Sequence, residues 1–302
     1  MHVNELMKSK WLRRHGSKAM GKLSGFIRLI RPTNCVMMGF AVLVGAVLAS
    51  SQFVGLNWLN ILFGFLTGFT LCAAAMIIND YHDRAIDAIN EPARPIPSGL
   101  VKTREALTFT AVLVAVGFFL AFYVSILCFA VAAASLAITT TYVTVGKRSG
   151  LPGNFLVSAC VAIPFIYGSI VACGFVKLNV GFFASMAFLS NTGREITKGI
   201  VDVKGDSAEG VKTLAVRYGE KEAAAAATAF YVAAVALTPV TWFLGLVSIW
   251  FAPFVLVTDC GLVGCSVLLL RDYSRENARR IKNLVLLWFI FGLLAYVFGT
   301  FK

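Results

Sequence analysis

The sequence predicts an all-α membrane protein that crosses the bilayer many times. Of its 302 residues, 58% are hydrophobic and only 14% are charged, whereas a soluble domain carries about 25% charged residues. Apolar runs of about 20 residues recur along the whole chain, and each is long enough to cross a hydrocarbon layer about 30 Å thick. We therefore expect a core of packed transmembrane helices.

Nine spans follow from these apolar runs. They are residues 33–50, 57–79, 106–124, 126–145, 153–173, 179–200, 222–245, 248–270 and 283–300. The first run is full length, and the basic stretch before it has no short apolar segment ending in a small-residue cleavage site. We therefore predict a basic cytosolic N-terminal segment over residues 1–32 and a single nine-helix transmembrane domain over residues 33–302.

The distribution of basic residues predicts the orientation. With these spans, 25 of the 27 Lys and Arg residues fall on one side of the membrane, and the exceptions are Lys177 and Lys302. Loops rich in Lys and Arg remain in the cytosol, so the N-terminus and the longer loops are predicted to be cytosolic. The net charge of +12 then reflects topology and attraction to anionic lipid rather than nucleic-acid binding.

A first acidic cluster follows the second span in the stretch "NDYHDRAID", residues 79–87. At 100° per residue, the side chains of Asn79, Asp80, Asp83 and Asp87 share an arc of about 100° if the helix continues past the membrane. One helix face therefore carries a row of oxygen ligands at the cytosolic side.

A second cluster follows the sixth span in "DVKGD", where Asp202 and Asp206 are four residues apart. Isolated carboxylates at span ends are usually just solvated, but two clusters on the same side favour a site. Facing carboxylates repel each other unless a cation lies between them. Carboxylate oxygens without Cys or His suit Mg²⁺, which commonly binds carboxylates together with substrate phosphates. The pattern predicts Mg²⁺ holding a diphosphate, beside an apolar bundle that holds a lipid tail.

Both motifs resemble those of the UbiA-type intramembrane prenyltransferases. "NDYHDRAID" matches N-D-x-x-D-x-x-x-D, and "DVKGD" matches D-x-x-x-D. The similarity extends to "RPTN" before the first span and to "RPIPSG" in the loop after the second. It implies nine transmembrane helices around a central cavity that opens to the membrane, with cytosolic cap loops after helices 2 and 6.

Within that superfamily, "REITKGIVDVKGD", "GVKTLAVRYG" and "GNFLVSACVAIPFIYGS" are most similar to the archaeal digeranylgeranylglyceryl phosphate synthases. The resemblance implies Mg²⁺-dependent transfer of a geranylgeranyl group from its diphosphate to the sn-2 hydroxyl of geranylgeranylglyceryl phosphate. This reaction forms the second ether bond of archaeal membrane lipids. The implied partners are a prenyl diphosphate, a lipid-phosphate acceptor and membrane lipid, and the sequence gives no signal for an oligomeric state.

The resemblance also implies roles for individual residues. Asn79, Asp83 and Asp87 would bind one Mg²⁺, and Asp202 and Asp206 the other, so the four aspartates are the catalytic candidates. Polar and basic residues on the cytosolic side are the substrate-binding candidates. They are Asn34, Asp80, Arg94, Tyr142, Lys147, Arg148, Lys198, Lys212 and Arg217.

Two alternatives remain at this point. The first is a prenyltransferase with another acceptor, such as chlorophyllide, an aromatic acid or haem. The second is an ion-coupled transporter, because intramembrane acids often line ion pathways, although the acids here lie at one face rather than at mid-span. Asp259, inside the eighth span, is predicted to have a buried hydrogen-bonding role rather than a catalytic one.

Overall fold

The computed structural model describes residues 21–50 and 56–301, and every regular element in these two ranges is helical. In chain order the helices are α1 (residues 21–30), α2 (Pro32–Ala49), α3 (Trp58–Asn90), α4 (Thr103–Val124), α5 (Ile126–Thr144), α6 (Leu151–Cys173), α7 (Leu178–Ala208), α8 (Leu214–Tyr218), α9 (Glu220–Phe243), α10 (Phe251–Arg271) and α11 (Arg275–Gly299). A short 3₁₀ turn, Gly146–Arg148, follows α5. Most of the predicted basic segment, residues 1–20, lies outside the described residues.

Eight of these helices are long and apolar enough to cross a membrane: α2 to α6 and α9 to α11. The predicted all-α, membrane-spanning chain is confirmed. The sixth predicted span corresponds to α7, which is 31 residues long but lacks a sufficiently apolar stretch. Its polar residues include Asn191, Arg194 and Glu195, and they are buried or half-buried within the bundle.

Two predicted spans continue as helix well beyond their apolar parts. Helix α3 extends to Asn90 and α7 extends to Ala208, so both acidic motifs lie on helical extensions, as the angular argument required. The last helix begins at Arg275 rather than at the predicted residue 283. Its first turn is polar and is capped by the Ser274 hydroxyl, which accepts a hydrogen bond from the Asn277 amide.

Close packing of α2 against α6 joins the two sides of the bundle. At Gly45 of α2 an added Cβ would collide with the carbonyl of Phe165, and at Gly168 of α6 it would collide with the carbonyl of Val42. Small residues at such positions let two helix backbones approach closely. On the far side, α7, α9, α10 and α11 pack around a core that includes the buried residue Tyr231.

Helix α1 packs on the loop that connects α3 to α4. Leu29 is fully buried against Val101 of that loop, and the Arg28 guanidinium donates a hydrogen bond to the Ala93 carbonyl at 2.9 Å. Lys22 forms an ion pair with Glu105 at 2.6 Å. The described end of the N-terminal segment is therefore held against the transmembrane domain.

Candidate functional site

A cavity of about 280 Å³ lies among α2, α3, α5 and α6, and we call it the α2–α6 cavity. Most of its lining is apolar, with Val42, Leu71 and Val131 among the contributing residues. Its polar lining residues include Arg31 and Asn79. Tyr142 also lines it, near the end of α5 on the same side of the bundle. The cavity thus combines an apolar interior with a polar mouth at the acidic motif.

The first motif places Asn79 and Asp83 at this mouth and adds a lysine from a distant part of the chain. The Asn79 side-chain amide donates a hydrogen bond to Asp83 Oδ2 at 3.0 Å, and Lys147 Nζ donates to the same oxygen at 2.6 Å. Lys147 lies in the 3₁₀ turn after α5. The structure therefore brings together three residues that the sequence singled out.

The other two aspartates of the motif belong to a network with two arginines. Asp80 is only 4% exposed and accepts from the Arg31 guanidinium at 2.6 Å, with the guanidinium of Arg94 at 3.7 Å. Arg94 also donates to Asp87 Oδ2 at 2.6 Å. Burial lowers the pKa of Arg94, but the hydrogen bond to Asp87 and the charges of Asp87, Asp80 and Glu91 together outweigh it, so the pKa is raised above its ordinary value. Arg94 therefore stays positively charged between Asp80 and Asp87.

Arg31 is the site residue that sequence reasoning missed. It connects α1 to α2 and has a positive φ of 49°, which a non-glycine residue seldom adopts. This turn directs its guanidinium to Asp80 and to the mouth of the α2–α6 cavity. The "RPTN" stretch was noted for its resemblance, but nothing in it indicated which partner the arginine contacts.

The second motif lies near the end of α7. Asp202 and Asp206 are half-buried, and neither forms an ion pair or a side-chain hydrogen bond within the described residues. Partial burial raises the pKa of the Asp206 carboxyl above its ordinary value, the Asp202 carboxylate raises it further, and Lys198 opposes the change. Lys198 therefore acts on Asp206 only through its charge at a distance, and neither carboxylate is bound directly by a cationic side chain within the described residues.

The connection between α5 and α6 contacts the regions of both motifs. Lys147 pairs with Asp83 of the first motif, and the next residue, Arg148, accepts a backbone hydrogen bond from Lys212 at 3.3 Å. Lys212 follows the second motif. Gly150 has a φ of 74° and leaves no room for a Cβ against the Lys212 carbonyl. Three of the predicted basic residues are thereby gathered between the two motifs.

The remaining predicted residues make fewer contacts. Asn34 is exposed and donates to the Met76 sulfur at 3.8 Å. Lys198 is exposed and lies 3.5 Å from Glu195. The Arg217 guanidinium lies over the ring of the adjacent Tyr218 at 5.6 Å.

The donor chemistry of both motifs fits a hard divalent cation that binds together with phosphate. The side chains offer carboxylate and amide oxygens, which Mg²⁺ prefers. Within the described residues, no three His, Cys, Asp or Glu side chains are gathered closely enough to hold a metal by themselves. Mg²⁺ is usually bound by only one or two carboxylates, and substrate phosphates and water fill its other positions. The few carboxylates in each motif are therefore enough for it.

The chain belongs to the UbiA prenyltransferase family, whose model matches residues 38–295. It is 36% identical to the digeranylgeranylglyceryl phosphate synthase of Archaeoglobus fulgidus, over 90% of this chain and 94% of that protein. It is 34% identical to the synthase of Korarchaeum cryptofilum, over 94% and 99%. The predicted resemblance is thus confirmed, and the chain falls among prenyltransferases rather than transporters.

Solved structures agree with this assignment. A structure described as giving structural and mechanistic insights into digeranylgeranylglyceryl phosphate synthase in membranes superposes with a TM-score of 0.86 at 30% identity, covering 92% of this chain and 98% of that chain. A UbiA homologue from Archaeoglobus fulgidus bound to DMAPP and Mg²⁺ has a TM-score of 0.67 at 16% identity, covering 90% and 98%. This second likeness is one of fold.

Proposed function

We propose that this protein transfers a geranylgeranyl group from geranylgeranyl diphosphate to the sn-2 hydroxyl of geranylgeranylglyceryl phosphate. The observation that carries the proposal is the similarity, over nearly the whole chain, to digeranylgeranylglyceryl phosphate synthases. The α2–α6 cavity supports this proposal, because its apolar interior and polar mouth match an amphiphile with a hydrocarbon tail and an anionic head.

We assign the acidic motifs to Mg²⁺, with Asn79, Asp83 and Asp87 holding one ion and Asp202 and Asp206 the other. Support comes from the oxygen donor set and from the homologue bound to DMAPP and Mg²⁺. Bound Mg²⁺ would neutralise the diphosphate and so make it a better leaving group.

The basic residues that pair with the first motif would bind phosphate oxygens. Lys147 and Arg94 each donate to a motif carboxylate at 2.6 Å, and Arg31 lines the cavity mouth. When a diphosphate enters, these donors can move from carboxylate to phosphate oxygens, because charge-assisted hydrogen bonds form to either. Tyr142 lines the same cavity and can donate its O–H to the diphosphate.

The apolar lining of the α2–α6 cavity would hold the prenyl chain of the donor. Exclusion of water there protects the allylic cation that forms when the C–O bond ionises. The acceptor hydroxyl oxygen would then bond to the cation and lose its proton to the released diphosphate or to water. Lys198, Lys212, Arg148, Arg217 and Asn34 remain proposed contacts to the acceptor or its phosphate.

The proposal also includes the topology. We propose that α7 is the ninth transmembrane helix, because it is 31 residues long and packs against α6, α9 and α11. Its polar residues Asn191, Arg194 and Glu195 lower its mean hydropathy, but they are buried or half-buried within the bundle. Residues 33–302 would then form one nine-helix domain, with cap loops after α3 and α7. Cytosolic placement of the N-terminus and of these loops follows from the positive-inside distribution.

The test is a transfer assay with the purified protein in lipid vesicles. Radiolabelled geranylgeranyl diphosphate is supplied with geranylgeranylglyceryl phosphate, with its dephosphorylated analogue, or with an aromatic acid. We expect a doubly geranylgeranylated lipid phosphate that requires Mg²⁺ and is lost when EDTA is added. Product from the aromatic acid, with none from the lipid phosphate, would overturn the acceptor assignment.

A matched pair of variants tests the site in the same assay. Asp83→Asn removes a proposed metal ligand, and we expect turnover to fall by at least about 100-fold, the scale of losing a key electrostatic group in catalysis. Asp272→Asn makes the same chemical change at an exposed residue between α10 and α11 and should leave turnover unchanged. Equal turnover in both variants would contradict the proposed site.

A further inference from the structure

A second cavity, of about 450 Å³, lies among α7, α9, α10 and α11, with α2 and α6 on its remaining side, and we call it the α9–α11 cavity. Its lining is chiefly apolar and includes Phe183, Met186, Leu262 and Leu293. Its volume is in the range of small-molecule pockets, about 300–1,000 Å³. None of its lining residues belongs to the acidic motifs.

Two polar atoms in this cavity have no hydrogen-bond partner in the part of the chain that the structure describes. The Tyr296 hydroxyl is unpaired although the residue is only 3% exposed. Asp259 Oδ1 is also buried and unpaired, whereas the other oxygen of that carboxyl accepts from the Thr238 hydroxyl at 2.7 Å. Buried polar groups in proteins are almost always paired, so these two atoms point to a ligand.

A hydroxyl group matches this pair of atoms. The Tyr296 hydroxyl can donate to it, and it can donate in turn to Asp259 Oδ1. The apolar lining requires the rest of the ligand to be hydrocarbon, and large apolar cavities are not stably filled by water. Met37 and Ile290 border the cavity and are exposed on the outer surface of the bundle, so a ligand can enter from the bilayer.

We propose that the α9–α11 cavity binds a neutral long-chain alcohol, with its hydroxyl between Tyr296 and Asp259. The hydrocarbon part, isoprenoid or alkyl, occupies the apolar lining. This site does not use the acidic motifs, and it shares only Val161 with the lining of the α2–α6 cavity. It would sense a lipid alcohol without consuming it.

The experiment uses the full chain in vesicles without Mg²⁺ or diphosphate, so a failure of the transfer reaction cannot affect it. A hexadecanol carrying a diazirine is photo-crosslinked, and the labelled peptides are identified by mass spectrometry. Geranylgeraniol, hexadecanol, their methyl ethers and hexadecane are the competitors, and the two alcohols distinguish an isoprenoid from an alkyl source. We expect labelled peptides on α9 to α11. At least one alcohol should reduce this labelling at about a five- to tenfold lower concentration than its methyl ether does, because the ether cannot donate the hydrogen bond to Asp259.

Equal competition by alcohols, ethers and hydrocarbon would overturn the proposal, because the hydroxyl would then not be recognised. Tyr296→Phe should weaken alcohol competition about five- to tenfold. Tyr273→Phe is the matched control, since Tyr273 lies between α10 and α11, is 40% exposed and lines neither cavity; it should have no effect. Equal loss in the two variants would also refute the proposal. If Tyr296→Phe fails to fold, competition by alcohols, ethers and hydrocarbon on the unaltered protein still tests whether the hydroxyl is recognised.

Discussion

Replacing Lys147 with methionine tests whether this lysine binds the diphosphate or only neutralises Asp83. Methionine keeps a long apolar stem and removes the ammonium group. In the structure, Lys147 Nζ lies 2.6 Å from Asp83 Oδ2, and the two side chains are 29% and 27% exposed. Under the proposed function, the ammonium moves to a phosphate oxygen when the donor binds.

The two roles predict different magnitudes. Exposed ion pairs contribute about 0–1 kcal/mol and charge-assisted hydrogen bonds about 1.5–3 kcal/mol, so this partly exposed pair should stabilise the fold by about 1–2 kcal/mol. A charge-assisted bond to the diphosphate is more enclosed once the donor fills the cavity. Its loss should raise the KM for geranylgeranyl diphosphate roughly 10- to 100-fold.

The assay is steady-state kinetics at saturating Mg²⁺ and acceptor, combined with thermal unfolding of the same preparations. Lys147→Arg should retain most of the donor affinity because it keeps the positive charge. Lys221→Met is the matched control, since Lys221 is exposed on α9, lies outside both motifs and makes no ion pair within the described residues. A lower melting temperature for Lys147→Met with an unchanged KM would refute the phosphate role and leave only the ion pair with Asp83.

The other predictions are these. Asp202→Asn should reduce turnover at least about 100-fold without lowering the melting temperature, because its carboxylate has no protein partner to lose; a large drop in melting temperature would contradict this. Gly168→Ala should destabilise the protein by about 1–3 kcal/mol through overpacking at the α2–α6 contact, whereas Gly181→Ala, which has open space around it, should not; both are read by thermal unfolding. Ser98→Cys should react with a membrane-impermeant maleimide only from the cytosolic side, and labelling from outside would reverse the proposed orientation.

The helices could be predicted because their signals are local. Apolar runs fix the spans, and helical periodicity alone placed the four oxygen-bearing residues of the first motif on one face. The extension of α3 to Asn90 confirmed the condition on which that argument depended. The start of α11 was misplaced because its first two turns are polar, and hydropathy does not detect a helix outside the membrane.

The pairing of charges could not be predicted from local signals. Lys147 was one of several basic candidates, and its contact with Asp83 joins residues 64 positions apart. The position of the Arg31 guanidinium beside Asp80 depends on a backbone turn with positive φ at Arg31. Arginine seldom adopts positive φ, so its presence in the sequence does not predict such a turn. The hydrogen-bonding role predicted for Asp259 is confirmed for one of its oxygens, but the cavity beside it required the packed structure.

The arrangement of charges implies that basic side chains and Mg²⁺ compete for the first motif. Each of its three aspartates has a cationic partner: Arg31 for Asp80, Arg94 for Asp87 and Lys147 for Asp83. Under the proposed function, a Mg²⁺ ion at Asp83 would compete with the Lys147 ammonium for the carboxylate, and a displaced ammonium would be free to contact phosphate. Loss of the Lys147 charge should therefore strengthen Mg²⁺ binding in the absence of substrate while it weakens donor binding. Opposite changes in the Mg²⁺ affinity and the donor KM of Lys147→Met would support this exchange, and parallel changes would contradict it.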